Sequence, residues 1–186
     1  DTSSVVALLA SPGATGISLR EAIEAANNTI CADTILFDID GTIAPVSALP
    51  TLADPTGGTH LDGEGAVMLD GGALVAAENG LTITSSANTV RGLAVRGFPG
   101  NGIQITTQSA INNQIQACVL GAAVDTDSGN GLNGLLIDLS ASYNLIGGEL
   151  AAFANTLSGN GESGIRLVNT ASRYNRIVGN RIGTSA

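Results

Sequence analysis

The chain contains no lysine and no tryptophan, and it has one histidine, one methionine and two cysteines in 186 residues. Each shortage narrows what the protein can be. Without lysine, all seven basic side chains are arginines, against 16 carboxylates, and the net charge is -9. An acidic surface repels a phosphate backbone, so no nucleic-acid partner is expected. No stretch of 18 apolar residues exists, which argues against insertion in a membrane as a helix. The scattered cysteines and the single histidine provide no zinc site. No signal peptide is visible, and Asp1 falls in mid-pattern, as expected of a mature form or of a piece of a longer protein.

Aromatic residues make up only 3% of the chain, yet 44% is hydrophobic. A core without large rings is built from Ile, Leu, Val and Ala, and such side chains layer well on strands. The 25 glycines follow no collagen period and signal many tight turns. Length and apolar content together predict one folded domain over 1–186. Cys31 and Cys118 lie far apart, and spacing does not decide between a disulfide and two buried thiols.

Residues 18–28 are expected to be the only helix. Leu19, Ala22, Ile23 and Ala26 fall on one face at helical spacing. Ser18 and Glu21 form a capping box, with each side chain reaching the other's backbone amide. Beyond this helix, short apolar runs alternate with Gly, Asn and Ser.

From Gly80 onward a repeat is visible. Gly80-Leu81-Thr82-Ile83 recurs as Gly102-Ile103-Gln104-Ile105, Gly134-Leu135-Leu136-Ile137 and Gly164-Ile165-Arg166-Leu167. Each is followed by an Asn-led element, at Asn88, Asn113, Asn144 and Asn175. A third element closes some units: Gly92–Val95, Cys118–Gly121 and Asn180–Gly183. Units of this size cannot bury both faces alone, but stacked units share a core. The predicted fold is all-β: a right-handed parallel β-helix (β-solenoid) with residues 18–28 as an N-terminal capping α-helix and the clearest repeats over 80–186. The four asparagines are expected to form a ladder in the turns, in left-handed conformations that Asn tolerates. Segments 121–131 and 148–160 are expected to be loops. No cap is visible at the C-terminus, which points to a longer native chain or to stacking on a partner.

Ser18-Leu19-Arg20-Glu21-Ala22-Ile23-Glu24-Ala25-Ala26-Asn27, then Ala32-Asp33-Thr34-Ile35-Leu36-Phe37, resembles the opening of bacterial surface β-helix proteins named for a Cys-Ser-Leu-Arg-Glu-Ala signature. The Gly/Asn repeats resemble those of pectate-lyase-like proteins. The resemblance covers nearly the whole chain and implies an exported bacterial protein, secreted or held at the cell surface. The family's leading cysteine is Ile17 here, which leaves Cys31 as the partner of a lost position. No defined activity attaches to the family, so no catalytic residue carries over.

Candidate chemistry is sparse. Ile35–Ile43, with Asp38 and Asp40, matches the nucleophile motif of haloacid-dehalogenase-type phosphatases, but that mechanism needs a distant Lys or Arg and strand–helix alternation. A strand ending in an Asp-Gly turn is the favoured reading. Pectin hydrolases and lyases need paired carboxylates on one face, or calcium-binding acids beside a base. Neither set is evident, and His60 lacks the glycine-flanked context. Asp125, Asp127 and Asn130 are the calcium candidate, with Asp62, Glu64 and Asp70 a looser one; a solvated loop is the simpler reading. Arg166, Arg173, Arg176 and Arg181 are candidates for gripping a carboxylated glycan, or else keep the surface soluble. No other cofactor is expected. The functional expectation is a non-catalytic structural or adhesive module. The alternatives are a β-helix that binds or cleaves extracellular polysaccharide, contact with surface proteins, and self-stacking into filaments.

Overall fold

A computed structural model describes residues 1–14, 16–122, 128–169 and 171–183. Two helices come first, α1 (Val5–Ala10) and α2 (Leu19–Asn27). The strands follow in chain order: β1 (Thr34–Leu36), β2 (Gly41–Ile43), β3 (His60–Asp70), β4 (Leu81–Ile83), β5 (Thr89–Arg96), β6 (Ile103–Ile105), β7 (Gln114–Gln116), β8 (Val119–Gly121), β9 (Leu135–Ile137), β10 (Leu145–Gly147), β11 (Thr156–Ser158), β12 (Ile165–Leu167), β13 (Arg176–Val178) and β14 (Arg181–Ile182). All their pairings are parallel. The chain is a right-handed parallel β-helix of about six turns, as the repeat predicts.

Each full turn contributes to three ladders. The first runs β1, the start of β3, the start of β5, β7, β10 and β13. The second runs β2, the end of β3, the end of β5, β8, β11 and β14. The third is β4, β6, β9 and β12, with Leu52 bridging to Ile83 from the first turn.

Register puts like on like. Ile35, Leu61, Val90, Ile115, Ile146 and Ile177 align in the first ladder. Leu69, Val95, Leu120 and Leu157 align in the second, all with no exposed surface. Burying each such side chain contributes about 1.5–3 kcal/mol. This is how a core with almost no rings is filled: a branched aliphatic chain repeats every ~4.8 Å along the axis.

α2 lies across the first turn. Leu19, Ile23 and Ala26 join the common core and Ala22 packs against it. Ser18 accepts from the Glu21 amide at 3.3 Å, and Glu21 accepts from the Ser18 amide at 2.9 Å. Asn27 fastens the helix to the first turn by donating to Thr51 O at 2.8 Å and accepting from the Ala53 amide at 2.9 Å.

Three expectations need correction. α2 is not the only helix, since α1 precedes it. Six residues are too few to show a period, and α1 is held by tertiary contacts: Leu8 is buried and Val5 donates to Thr29 Oγ1 at 2.9 Å. The segment 148–160 is not a plain loop, because it carries β11, which supplies the second ladder in the fifth turn. In 121–131, β8 reaches Gly121 and Asn130 is fully buried; residues 123–127 lie outside the described part.

Candidate functional site

The polar side chains that recur in this sequence converge at the corners between strands. Before the first ladder, Asn88 Nδ2 donates to Asn113 Oδ1 at 2.9 Å, Asn113 to Asn144 Oδ1 at 3.0 Å and Asn144 to Asn175 Oδ1 at 3.0 Å. The backbone amides of Asn88, Asn113 and Asn144 donate to the same oxygens at 2.8, 2.8 and 2.9 Å. One side-chain oxygen thus takes two N–H groups from the turn before it. Asn88, Asn113 and Asn144 are almost wholly buried, so these bonds satisfy groups that would otherwise be costly to desolvate.

The asparagines themselves are not the left-handed residues. That conformation falls one position earlier, at Ala87 (φ 57°), Asn112 (58°), Tyr143 (61°) and Tyr174 (58°). The corner is thus a left-handed residue followed by a ladder asparagine, and the left-handed site tolerates even tyrosine.

Three further columns follow the same logic. Before the second ladder, Asn155 donates to Asn180 Oδ1 at 2.8 Å and accepts from the Cys118 amide at 2.9 Å. After it, Asn130 donates to Asn160 Oδ1 at 3.0 Å. Before the third ladder, Asn101 donates to Asn79 Oδ1 at 3.0 Å and Asn133 to Asn101 Oδ1 at 2.9 Å. The last column runs the other way along the axis. The sequence held a signal for it, in the pairs Asn79-Gly80, Asn101-Gly102 and Asn133-Gly134, which pass for ordinary turns when read singly.

Of the calcium candidate, the structure describes Asn130 alone. Asp125 and Asp127 lie outside the described residues. Asn130 is engaged in the stack: its oxygen accepts from the Phe98 amide at 3.2 Å and its Nδ2 also donates to Val95 O at 3.1 Å. Asp62 lies beside His60 at 3.5 Å, and Asp70 pairs with Arg96 at 3.2 Å. No group of three His, Cys, Asp or Glu side chains able to hold a metal occurs among the described residues.

Three of the four candidate glycan arginines fall on three different ladders. Arg166 sits in the third ladder and pairs with Glu162 at 2.8 Å. Arg176 sits in the first and lies 3.5 Å from Glu149, and Arg181 sits in the second. The Arg173 amide donates to Ser142 Oγ at 3.1 Å in the corner before β13. Asp38 and Asp40 are exposed on the first turn, and no strand–helix alternation follows them among the described residues.

One stretch of the outer surface has the makings of a contact site. Gln116, Leu145, Glu149, Phe153 and Arg176 line a depression of about 290 Å³. The Arg91 guanidinium lies 5.7 Å from the Phe153 ring centre, within cation–π range. Tyr143 and Tyr174, both exposed, stack at 4.9 Å in the corners that lead into β10 and β13.

The cysteines are unpaired; Cys31 is exposed and Cys118 buried. Burial pushes the Cys118 thiol up to about 12, which leaves it protonated and inert. No protein family, curated protein or solved structure matches the chain.

Proposed function

We propose that the chain is a non-catalytic structural module of an exported bacterial surface protein, a rigid β-helical segment that spaces or presents what is attached to it. The carrying observation is the use made of its asparagines: at four corners they bond to a neighbouring turn rather than to the outside. The resemblance of Ser18–Asn27 to the opening of bacterial surface β-helix proteins supports export.

The test is a polysaccharide screen. The chain is incubated with uronate-rich and neutral polymers, with and without Ca²⁺, while reducing ends, the absorbance of unsaturated products and retention on each polymer are followed. The module reading predicts no cleavage, and any turnover above a buffer blank would overturn it.

A second reading, a polysaccharide-binding face, is favoured by the depression beside Phe153 and by the stacked pair Tyr143/Tyr174. It predicts retention without cleavage, lost in Tyr174→Ala.

A further inference from the structure

Asp33 precedes β1 and Thr59 precedes β3. The register Thr34 to His60 sets Thr59 on Asp33, and His60 donates its amide to Asp33 O at 2.8 Å. Thr59 then donates its amide to Asn88 Oδ1 at 3.1 Å. Asp33 and Thr59 therefore occupy the first two rungs of the column that Asn88, Asn113, Asn144 and Asn175 continue.

The segment closing this corner brings in Asp54, which has no exposed surface. Its Oδ1 accepts from the Thr56 amide at 2.8 Å and the Thr56 hydroxyl at 2.7 Å. Thr56 Oγ1 in turn accepts from the Cys31 amide at 3.3 Å, which ties Asp54 to the residues just before Asp33. Asp33 Oδ2, Asp54 Oδ2 and Thr59 Oγ1 are each buried without a protein partner. Elsewhere among the described residues such atoms occur only at Thr106, Asn133 and Asp138, which include a single carboxylate.

In the later turns asparagine supplies both a donor and an acceptor. At this first corner the side chains present acceptor oxygens and two formal negative charges. Burial, and then the charge of Asp54, push the Asp33 carboxyl above its ordinary range. Buried carboxylates are retained where something positive meets them, and an all-oxygen donor set with two charges suits a hard cation.

We propose that this corner is a divalent-cation site, with Ca²⁺ held by the carboxylates of Asp33 and Asp54 and the hydroxyl of Thr59. The cation joins the first turn to the second beneath α2. Its donors do not include Asp125 or Asp127, and the proposal stands whether or not the structural-module reading does.

The experiment uses the full chain, freed of metal with chelator and titrated with Ca²⁺ by calorimetry and thermal unfolding. One site is expected, with a melting temperature raised by about 5 °C or more at a hundredfold excess over Kd. Binding is lost in Asp33→Asn and in Asp54→Asn, and retained in the double variant Asp125→Asn/Asp127→Asn. Asp33 is only partly buried, so its variant keeps the test decisive if Asp54→Asn fails to fold. No binding, or binding that survives Asp33→Asn, overturns the proposal. So does stability that rises on acidification and is indifferent to Ca²⁺ at every pH, since the two acids would then share a proton instead.

Discussion

Cys118 stands where the next two turns place Asn155 and Asn180, and its thiol does part of their work. Its Sγ lies 3.7 Å from Val90 O, as Asn155 Nδ2 lies 2.8 Å from Ile115 O and Asn180 Nδ2 2.8 Å from Ile146 O. A thiol with its pKa raised to about 12 does not react as thiolate at neutral pH. Titration with a disulfide reagent at pH 8 should therefore count one thiol in the native chain, Cys31, and two after denaturation; two reactive thiols in the native chain would contradict the buried position. Cys118→Asn should fold and match or exceed the parent in stability, because it adds a donor toward Asn155 Oδ1. The left-handed corners make another residue-scale prediction. Ala87 is exposed at φ 57°, a conformation that costs an L-residue about 1 kcal/mol relative to glycine. Ala87→Gly should hold or raise the urea midpoint, where a glycine at an ordinary strand position would lower it.

At the scale of elements, the capping box and the columns are separable devices. Ser18→Ala removes the acceptor for the Glu21 amide and should cost about 1 kcal/mol, seen as a lower melting temperature with an unchanged β signal. The Glu21 carboxyl is held below its ordinary 4.5, first by the Ser18 amide. Its contribution is therefore present above pH 4.5 and fades as pH falls through its lowered value. The third-ladder column stops at Asn133, whose oxygen is buried and unpaired, because the next turn has Ser163 where the pattern asks for Asn. Ser163→Asn should extend the column and stabilise the chain by about 1 kcal/mol.

The helix over 18–28, the four glycine-led strands and the first asparagine column were legible because each repeats a local pattern. The other columns were not, since each holds only two or three asparagines, and in the longest the rungs lie 22 residues apart from Asn79 to Asn101 but 32 from Asn101 to Asn133. β11 escaped because only Leu157 and Thr156 of its three residues are buried, too little to show alternation. The first two turns hide the column altogether, with Asp33 and Thr59 in place of asparagine. That substitution is what makes their corner a candidate site.

Across the described turns, burial of the ladder residues falls off toward the last one. Ile146 and Leu157 have no exposed surface, while Ile177 and Ile182, their mates in the last described turn, are 40% and 48% exposed. Ile146→Ala should cost about 2–5 kcal/mol, and Ile177→Ala distinctly less, in matched urea melts. The central claim is that asparagine side chains hold turn to turn, and hydrogen exchange at single-amide resolution tests it most directly. The account predicts that the amides of Asn88, Asn113 and Asn144 are among the slowest in the chain, and that Asn113→Ala speeds exchange at the Asn88 amide, whose acceptor it removes, while the fold persists. Free exchange at these amides, or an Asn88 amide indifferent to Asn113→Ala, would contradict it.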